Sequence, residues 1–134
     1  MTAYLDRLDR WSPVGSVTTF EPVAAVPADD MTELARLMTE VDCGSLIVKG
    51  PDDQTAIVTE RDIVRAVAGG ATEAWAADVM SRDVVTVPAD LTIAEAAATM
   101  LEAGIRHLVV ERADGALGVT SIRDLVDALL SEDD

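Results

Sequence analysis

Two motifs in this chain combine a hydroxyl, an arginine and a carboxylate at fixed spacing. They are Thr59-Glu60-Arg61-Asp62 and Ser121-Ile122-Arg123-Asp124, which lie 62 positions apart. Each follows an apolar run and precedes a helix-like pattern, so the sequence predicts a strand, a turn and a helix around each motif. A carboxylate accepts hydrogen bonds from hydroxyl groups, and a guanidinium or a hydroxyl donates to anions. Binding of a polar small molecule is therefore one function that both motifs can serve.

The same spacing is also typical of a capping box, in which a hydroxyl residue and an acidic residue three positions later cap the start of a helix. Two further pairs with similar spacing occur in the chain, Asp30 with Glu33 and Thr92 with Glu95. These pairs also lie 62 positions apart, so repetition alone does not distinguish a ligand site from a helix cap. The spacing leaves both interpretations open.

The composition predicts a globular protein with an aliphatic core. Hydrophobic residues make up 49% of the 134 residues, aromatic residues make up only 3%, and the net charge is -15. So negative a chain is repelled by nucleic acid and by anionic membranes, and we expect neither as a partner. The beginning of the chain lacks the pattern of a signal peptide, and no apolar run is long enough to cross a membrane. We therefore expect a cytoplasmic protein.

The sequence does not indicate catalytic or metal chemistry. Cys43 is the only cysteine and His107 the only histidine, so an internal disulfide and a zinc-ligand cluster are both excluded. The chain also lacks a glycine-rich phosphate loop, and no nucleophile can be assigned a neighbouring base. We expect no catalytic residue, no metal and no covalently bound cofactor.

The first half of the chain predicts the order β-α-β-β-α after a short amphipathic helix over residues 3–11. The first strand is Val23–Val26, and the helix after it is expected to end at Cys43-Gly44. Two strands, Ser45–Lys49 and Thr55–Thr59, then lead into the last helix of this half. The apolar stripe of the first long helix is predicted to be Met31, Leu34, Ala35, Met38 and Val41.

The second half repeats this order. Aligned at the offset of 62, residues 30–67 and 92–129 are identical at eleven of thirty-eight positions, which identifies an internal repeat. Pro88-Ala89-Asp90 also repeats Pro27-Ala28-Asp29. The predicted elements are a short helix containing Trp75, Val79 and Met80, a strand at Val84–Val87, a helix with apolar Ile93, Ala96, Ala97, Met100 and Leu101, strands at His107–Glu111 and Ala116–Ser121, and a helix with apolar Leu125, Val126, Leu129 and Leu130.

With these features the chain resembles a tandem pair of CBS domains, the regulatory module named after cystathionine β-synthase. The resemblance is carried by Ile105-Arg106-His107-Leu108-Val109-Val110 and by Gly118-Val119-Thr120-Ser121-Ile122-Arg123-Asp124-Leu125. It implies a mixed α/β (α+β) fold of two β-α-β-β-α units packed with pseudo-twofold symmetry. The implied domains are residues 16–70 and 75–131, with a lead-in over 1–15, a linker over 71–74 and an acidic tail over 132–134.

The resemblance also implies a ligand, namely AMP, ADP, ATP or S-adenosylmethionine, bound as a regulatory molecule in clefts between the two units. Such pairs usually form homodimers. In the family, the motif aspartate contacts the ribose hydroxyls and the motif hydroxyl meets the phosphate. Carried onto this sequence, together with neighbouring basic residues, the expected nucleotide-binding residues are Thr59, Arg61, Asp62, His107, Ser121, Arg123 and Asp124.

The first motif departs from the family pattern more than the second. Ala56 stands where the second copy has Gly118, and Cys43-Gly44-Ser45 replaces Ile105-Arg106-His107. We therefore expect the second motif to be the better phosphate binder. The alternative function is a structural or partner-binding CBS module without a bound nucleotide, and a small hydrolase that uses Asp62 or Asp124 is a third hypothesis.

Overall fold

The computed structural model describes residues 8–20, 24–51 and 54–131, which fall into two compact units. The first-repeat unit consists of residues 21–84, and the second-repeat unit combines residues 1–20 with residues 85–134. In chain order the elements are a 3-10 helix (Val14–Val17), β1 (Thr19–Phe20), α1 (Met31–Val41), β2 (Ser45–Lys49), β3 (Thr55–Thr59), α2 (Glu60–Ala68), α3 (Ala76–Val79), β4 (Thr86–Pro88), α4 (Ile93–Ala103), β5 (His107–Glu111), β6 (Leu117–Ser121) and α5 (Ile122–Leu129).

In the first-repeat unit, β2 and β3 form an antiparallel hairpin. Isolated bridges extend it on both sides, because Ala25 pairs with β2 and Ser81 pairs with β3. The core contains Leu34, Leu46 and Val58, each at most 1% exposed. Burying several such side chains is the main favourable term in folding a unit of this size.

The second-repeat unit contains a four-stranded sheet in the order β1-β6-β5-β4. The pairs of β6 with β1 and with β5 are antiparallel, while β4 runs parallel to β5. The core contains Ile93, Met100, Leu108 and Leu125, each at most 1% exposed. The predicted mixture of helices and strands in two repeats is therefore confirmed, and the bounds predicted for β2, β3 and β5 match the structure.

Each unit contains the segment that precedes the other repeat in the sequence. In the first-repeat unit, the Ser81 N–H donates to the Ile57 carbonyl at 2.8 Å, and the Ile57 N–H donates to the Ser81 carbonyl at 3.0 Å. In the second-repeat unit, Thr19 lies opposite Val119. Val119 lies 62 positions after Ile57, and Thr19 lies 62 positions before Ser81, so the two pairs are equivalent. The lead-in segments are thus exchanged between the two halves of the chain.

Strand pairing corrects the alignment of the two Pro-Ala-Asp segments. The bridge that Ala25 makes with β2 corresponds to the pairing of Val87 with β5, again 62 positions later. Pro27 therefore corresponds to Ala89 and not to Pro88. The alignment by identical letters is therefore shifted by one residue from the alignment by strand pairing. We follow the strand pairing, because a shift of one residue along a strand turns every side chain to the opposite face of the sheet.

The helix predicted for residues 3–11 is wrong over its described part, and residues 3–7 lie outside the described residues. Residues 8–11 contain no helix, and Trp11 is 65% exposed. The Asp9 carboxylate accepts the Trp11 N–H at 2.9 Å, and the Asp9 carbonyl accepts the Ser12 N–H at 3.1 Å. These local bonds take the N–H groups that a continuing helix would have used.

The end and the buried face of α1 also differ from the prediction. Asp42, with φ 53° and ψ 51°, takes the left-handed position after the helix, so Cys43-Gly44 is not the stop signal. Met31, Leu34 and Met38 are buried as predicted, but Leu37 is buried as well and Ala35 is exposed. Leu37 belongs to the buried face because residues three apart, such as Leu34 and Leu37, share one side of a helix.

Two predicted strands are shorter or displaced. Val23 lies outside the described residues, and of the rest of Val23–Val26 only Ala25 forms a bridge. The strand predicted at Val84–Val87 is β4, which begins at Thr86. Both strands are edges with one neighbour, so fewer hydrogen bonds define their ends.

Several residues predicted on the apolar faces of the helices in the second half are exposed instead. Leu101 is 80% exposed, Val126 40% and Leu130 75%. The short helix predicted to contain Trp75, Val79 and Met80 is α3, which Trp75 and Met80 flank. In α5 the buried positions are Leu125 and Ala128. Leu125 and Ala128 are three positions apart and share one face of the helix, whereas Val126 and Leu130 fall outside that face.

Candidate functional site

The first motif lies where β3 ends and α2 begins. Thr59 is the last residue of β3 and the cap of α2. The Asp62 Oδ2 atom accepts the Thr59 N–H at 2.8 Å and the Thr59 hydroxyl at 3.0 Å. The Asp62 N–H in turn donates to Thr59 Oγ1 at 3.3 Å. The motif is therefore a complete capping box.

The second motif has the same geometry between β6 and α5. The Asp124 Oδ2 atom accepts the Ser121 N–H at 2.8 Å and the Ser121 hydroxyl at 3.1 Å. The Asp124 N–H donates to Ser121 Oγ at 3.3 Å. The two motifs thus differ by no more than 0.1 Å in any of these distances, and both cap a helix.

Capping leaves part of each carboxylate unused. Both bonds to the Asp62 side chain end on Oδ2, as do both bonds to Asp124. Within the described residues, no hydrogen bond reaches the Oδ1 atom of either aspartate. A carboxylate oxygen can accept two hydrogen bonds, so Oδ1 can receive ligand hydroxyls while Oδ2 keeps the cap.

The cap geometry by itself does not mark a ligand site. Thr92 and Glu95 at the start of α4 form the same reciprocal box, with donor–acceptor distances of 2.9 to 3.1 Å. These bonds hold the pKa of Glu95 below its ordinary value, chiefly through the backbone N–H of Thr92 and then through its hydroxyl. This box offers a control for experiments on the motifs.

The helix starts offer few free backbone donors to an anion. The Glu60 N–H donates to the Gly44 carbonyl and the Ile122 N–H donates to the Arg106 carbonyl, each at 2.9 Å. The N–H of each motif aspartate is taken by the motif hydroxyl. An anion at either motif therefore has to rely mainly on side-chain donors, and Arg61 and Arg123 are both exposed in the first turn.

The second motif has a basic neighbour that the first lacks. His107 begins β5 and lies directly opposite Ser121 in the sheet. The equivalent place opposite Thr59 is taken by Ser45, which is only 4% exposed. The structure therefore brings His107 and Ser121 together and gives the first motif a small buried hydroxyl. Sequence reasoning did not single out Ser45, although the repeat alignment pairs it with His107.

The glycine before the second motif has an internal explanation. A Cβ atom added to Gly118 would lie 2.6 Å from the Thr19 carbonyl oxygen and 2.9 Å from the Phe20 ring. Arg112 in turn stacks over Phe20, 4.6 Å from the ring centroid. The close approach that requires glycine here is thus made by β1.

Each unit also has a cleft at the opposite end of its hairpin from the motif. The cleft in the first-repeat unit has a volume of about 480 Å³, and that in the second-repeat unit about 550 Å³. The first includes Gln54, Met80 and Arg82, and the second includes Asp90, Glu111 and Arg112. No motif residue lines either cleft. The sequence predicted strands and turns at these positions but no binding site.

The described residues contain neither a metal-ligand cluster nor a membrane-spanning helix. No group of three or more histidine, cysteine, aspartate or glutamate side chains there is arranged to hold a metal ion. No helix there is long and apolar enough to cross a membrane.

The sequence matches a known family model twice. The model described as CBS domain matches residues 14–69 and residues 76–131. A relative from Acidianus ambivalens, named only as an uncharacterized 17.7 kDa protein, is 35% identical over 119 residues. That alignment covers 87% of this chain and 73% of the relative.

Solved structures share the fold. An uncharacterized conserved protein from Pyrococcus horikoshii matches with a TM-score of 0.76 and 25% identity, covering 95% of this chain and 98% of that protein. A CBS domain protein from Pyrobaculum aerophilum, solved in complex with AMP, matches with a TM-score of 0.70 and 30% identity. The match covers 84% of this chain and 88% of that one.

Proposed function

Because the chain belongs to the CBS domain family, as a tandem pair of CBS domains, we propose that it is a regulatory module that binds an adenosine-containing nucleotide. The observation that carries the proposal is that each motif combines an aspartate Oδ1 atom outside the capping bonds with an exposed arginine in the first turn, a cation that the box of Thr92 and Glu95 lacks. The ligand is AMP, ADP, ATP or S-adenosylmethionine. The similarity to the protein solved with AMP supports an adenosine ligand.

The hydrogen bonds within each motif indicate which part of the nucleotide each side chain would bind. The Oδ1 atom of Asp62 or Asp124 accepts from the two vicinal hydroxyls of the ribose. The Thr59 or Ser121 hydroxyl, which now donates to Oδ2, has to rotate to donate to a phosphate. The aspartate keeps its bond to the backbone N–H during that rotation, so the helix start stays capped.

We propose that the second motif binds phosphate more tightly than the first. His107 lies opposite Ser121, and exposed Arg106 precedes it, so two basic side chains accompany this motif in addition to Arg123. The corresponding residues at the first motif are Gly44 and Ser45. Electrostatic attraction to phosphate is therefore greater at the second motif, where more positive charge is available.

Titration of nucleotides into the protein tests the proposal. We expect AMP, ADP, ATP or S-adenosylmethionine to raise the Tm at millimolar concentration, since a ligand that binds only the folded state stabilises it. Asp124→Asn should weaken the tightest binding by roughly tenfold or more, because a hydrogen bond to a charged group is lost. Asp62→Asn should have the smaller effect on phosphate-bearing ligands.

The matched control is Glu95→Gln, which alters a capping box of the same geometry that the proposal assigns no ligand. It should leave the affinity unchanged. Absence of any rise in Tm with all four ligands would contradict the proposal and favour the alternative, a structural or partner-binding module. Turnover of any of the ligands would contradict the proposed absence of catalysis.

The remaining parts of the proposal concern assembly and location. We place the protein in the cytoplasm, supported by its single cysteine, and propose that it forms a homodimer. Exposed apolar side chains on two helices favour association of some kind. In the proposed mechanism the ligand acts by binding one arrangement of the module more tightly than another.

A further inference from the structure

The cleft of the first-repeat unit has one charged side chain among its described lining residues, the guanidinium of Arg82. Gln54 and Thr55 add an amide and a hydroxyl, while Pro27 and Met80 belong to its apolar lining. Within the described part of the chain, Arg82 has no ion-pair partner, and the side chains of Gln54 and Thr55 make no hydrogen bond. The volume of about 480 Å³ is typical of small-molecule sites in proteins.

The equivalent place in the second-repeat unit is filled by a stacked pair of side chains. Phe20 lies opposite Gly118 in the sheet, and Arg112 covers the Phe20 ring at 4.6 Å from its centroid. Arg82 stands 62 positions after Phe20, and Gly50 stands 62 positions before Arg112. Gly50 and Arg82 both line the cleft of the first-repeat unit. The space that a side chain occupies in one unit is therefore open in the other.

Arg112 shows which partners a guanidinium takes at this end of a hairpin. Its Nε and Nη2 atoms donate to the two carboxylate oxygens of Asp114 at 3.2 and 3.1 Å, while its face covers the Phe20 ring. A planar guanidinium can thus bind a carboxylate along its edge and an aromatic ring on its face. Among the described residues, Arg82 has neither partner.

We propose that the cleft of the first-repeat unit is a binding site for a small aromatic carboxylate. The carboxylate of the ligand accepts hydrogen bonds from the edge of the Arg82 guanidinium, and the ring lies over Gly50 against the face of that guanidinium. Cation and ring thereby exchange the places that they hold in the second-repeat unit. No motif residue lines this cleft, so the inference goes beyond the proposed function and does not depend on nucleotide binding.

The fold itself does not require a glycine at position 50. A Cβ atom added to Gly50 would lie 3.7 Å from the Gln54 Oε1 atom and 3.8 Å from the Pro27 Cγ atom, which are ordinary van der Waals contacts. The φ angle of Gly50 is not positive, so the backbone conformation is open to other residues as well. The absence of a side chain there leaves room for a ring beside the Gln54 amide.

The lining favours a ligand that is both anionic and apolar. Within the described residues, no acidic side chain lines this cleft, whereas Asp90 and Glu111 line the cleft of the second-repeat unit. An inorganic anion would use only the guanidinium, and a neutral hydrocarbon only apolar groups such as Pro27 and Met80. An aromatic carboxylate contacts both kinds of group. The cleft of the second-repeat unit should not bind it, because Arg112 is already paired there.

Titration of the full chain with 2-naphthoate, followed by amide NMR, tests the site. We expect the resonances of Gly50, Gln54 and Thr55 to shift. Those of Asp62 and Asp124 should stay in place. Two ligands of similar size separate the contributions, since decahydro-2-naphthoate keeps the charge without the aromatic ring and 2-naphthamide keeps the ring without the charge. The first should bind about threefold more weakly through loss of the cation–π contact, and the second about tenfold more weakly through loss of charged hydrogen bonds.

Substitutions at two lining positions give a second readout. Arg82→Gln should weaken the binding of 2-naphthoate by about tenfold or more, because a hydrogen-bonded charge is removed. Arg36→Gln makes the same change on α1 and should leave the affinity unchanged. The double variant Gly50→Arg with Arg82→Phe introduces the stacked pair of the second-repeat unit into the cleft and should abolish binding. Circular dichroism confirms that each variant is folded.

Two results would overturn the proposal directly. They are unchanged resonances of all three lining residues at millimolar 2-naphthoate, and equal affinity of Arg82→Gln and wild type. Shifts at Asp62 or Asp124 instead would place the carboxylate at a motif and overturn the assignment to the cleft. Nucleotide affinity should be the same in Arg82→Gln as in wild type, so the proposed function can hold or fail independently of this site.

Discussion

Gly118 and Thr19 are packed so closely that a side chain at position 118 would collide with the backbone of β1. The Cβ of an alanine there would lie 2.6 Å from the Thr19 carbonyl oxygen, well inside van der Waals contact. The equivalent position in the first repeat is Ala56, which is 3% exposed and belongs to the core of its unit. The two repeats have therefore adapted the same strand position to different neighbours.

Gly118→Ala should destabilise the protein by about 1–3 kcal/mol, because the added methyl group forces β1 away from β6. Urea unfolding measures the change. Ala56→Gly is the matched control, with an expected cost of about 1 kcal/mol from chain entropy and a small lost contact. Equal stability of Gly118→Ala and wild type would show that β1 is not held against β6.

Thr120→Val should stabilise the protein by about 1 kcal/mol. Thr120 is fully buried, and its hydroxyl has no hydrogen-bond partner among the described residues. The residue 62 positions earlier, Val58, fills the equivalent core position without a polar atom. Valine keeps the shape and removes the buried hydroxyl.

The reciprocal variant Val58→Thr should lose stability by a similar or larger amount, since it introduces the same unpaired group. Thermal unfolding of both variants provides the measurement. A loss of stability in Thr120→Val would mean that the hydroxyl has a partner in solution, such as a bound water molecule.

Asp42→Gly should stabilise the protein by up to about 1 kcal/mol, because a residue with a Cβ atom is strained in the left-handed conformation. Asp42 has φ 53°, and the equivalent residue after α4 is Gly104 with φ 67°. Gly104→Ala should therefore be destabilising by a comparable amount. Chemical denaturation of the two variants and of wild type checks that the two substitutions change the free energy of unfolding in opposite directions.

Glu95→Gln should lower stability at neutral pH, and this deficit should shrink as the medium becomes acidic. The pKa of Glu95 is held below its ordinary value of 4.5 by the bonds from Thr92. A carboxylate with a lowered pKa in the folded state stabilises fully above the unfolded pKa, and its contribution is lost as the pH falls through the folded pKa. Urea unfolding at a series of pH values checks the trend.

Glu102→Gln is the control for this pH dependence. Glu102 is exposed on the same helix and has no hydrogen bond among the described residues. A constant difference between Glu95→Gln and wild type down to strongly acidic pH would contradict the role assigned to the charged carboxylate.

The sequence was most informative where local chemistry and long-range packing agree. Both motif boxes, the hairpin β2–β3 and the position of α4 followed from capping residues, turns and alternating apolar positions. Cap and turn signals depend on residues within a few positions, so a single sequence contains them almost completely. The repeat then supplied a second independent copy of each signal.

The sequence was least informative where a segment's partner is distant. Nothing near Thr19 or Ser81 indicates that each pairs with a strand of the other repeat. For the same reason the sequence does not explain Gly118, since the carbonyl that crowds it lies about a hundred residues away in the sequence. Leu101 and Leu130 were placed inside because hydrophobicity alone does not tell a core face from a contact face.

The exchange of lead-in segments bears on how a chain of this kind could have arisen. Thr19 pairs with a strand of the second repeat, and Ser81 pairs with a strand of the first. A peptide of one repeat would therefore contain a lead-in segment whose partner strand is missing, and a strand whose lead-in segment is missing. Two such peptides would complete each other by trading these segments. Duplication and fusion of the coding sequence would make that trade intramolecular and raise the local concentration of the exchanged parts. The present chain has the connectivity of such a fused pair.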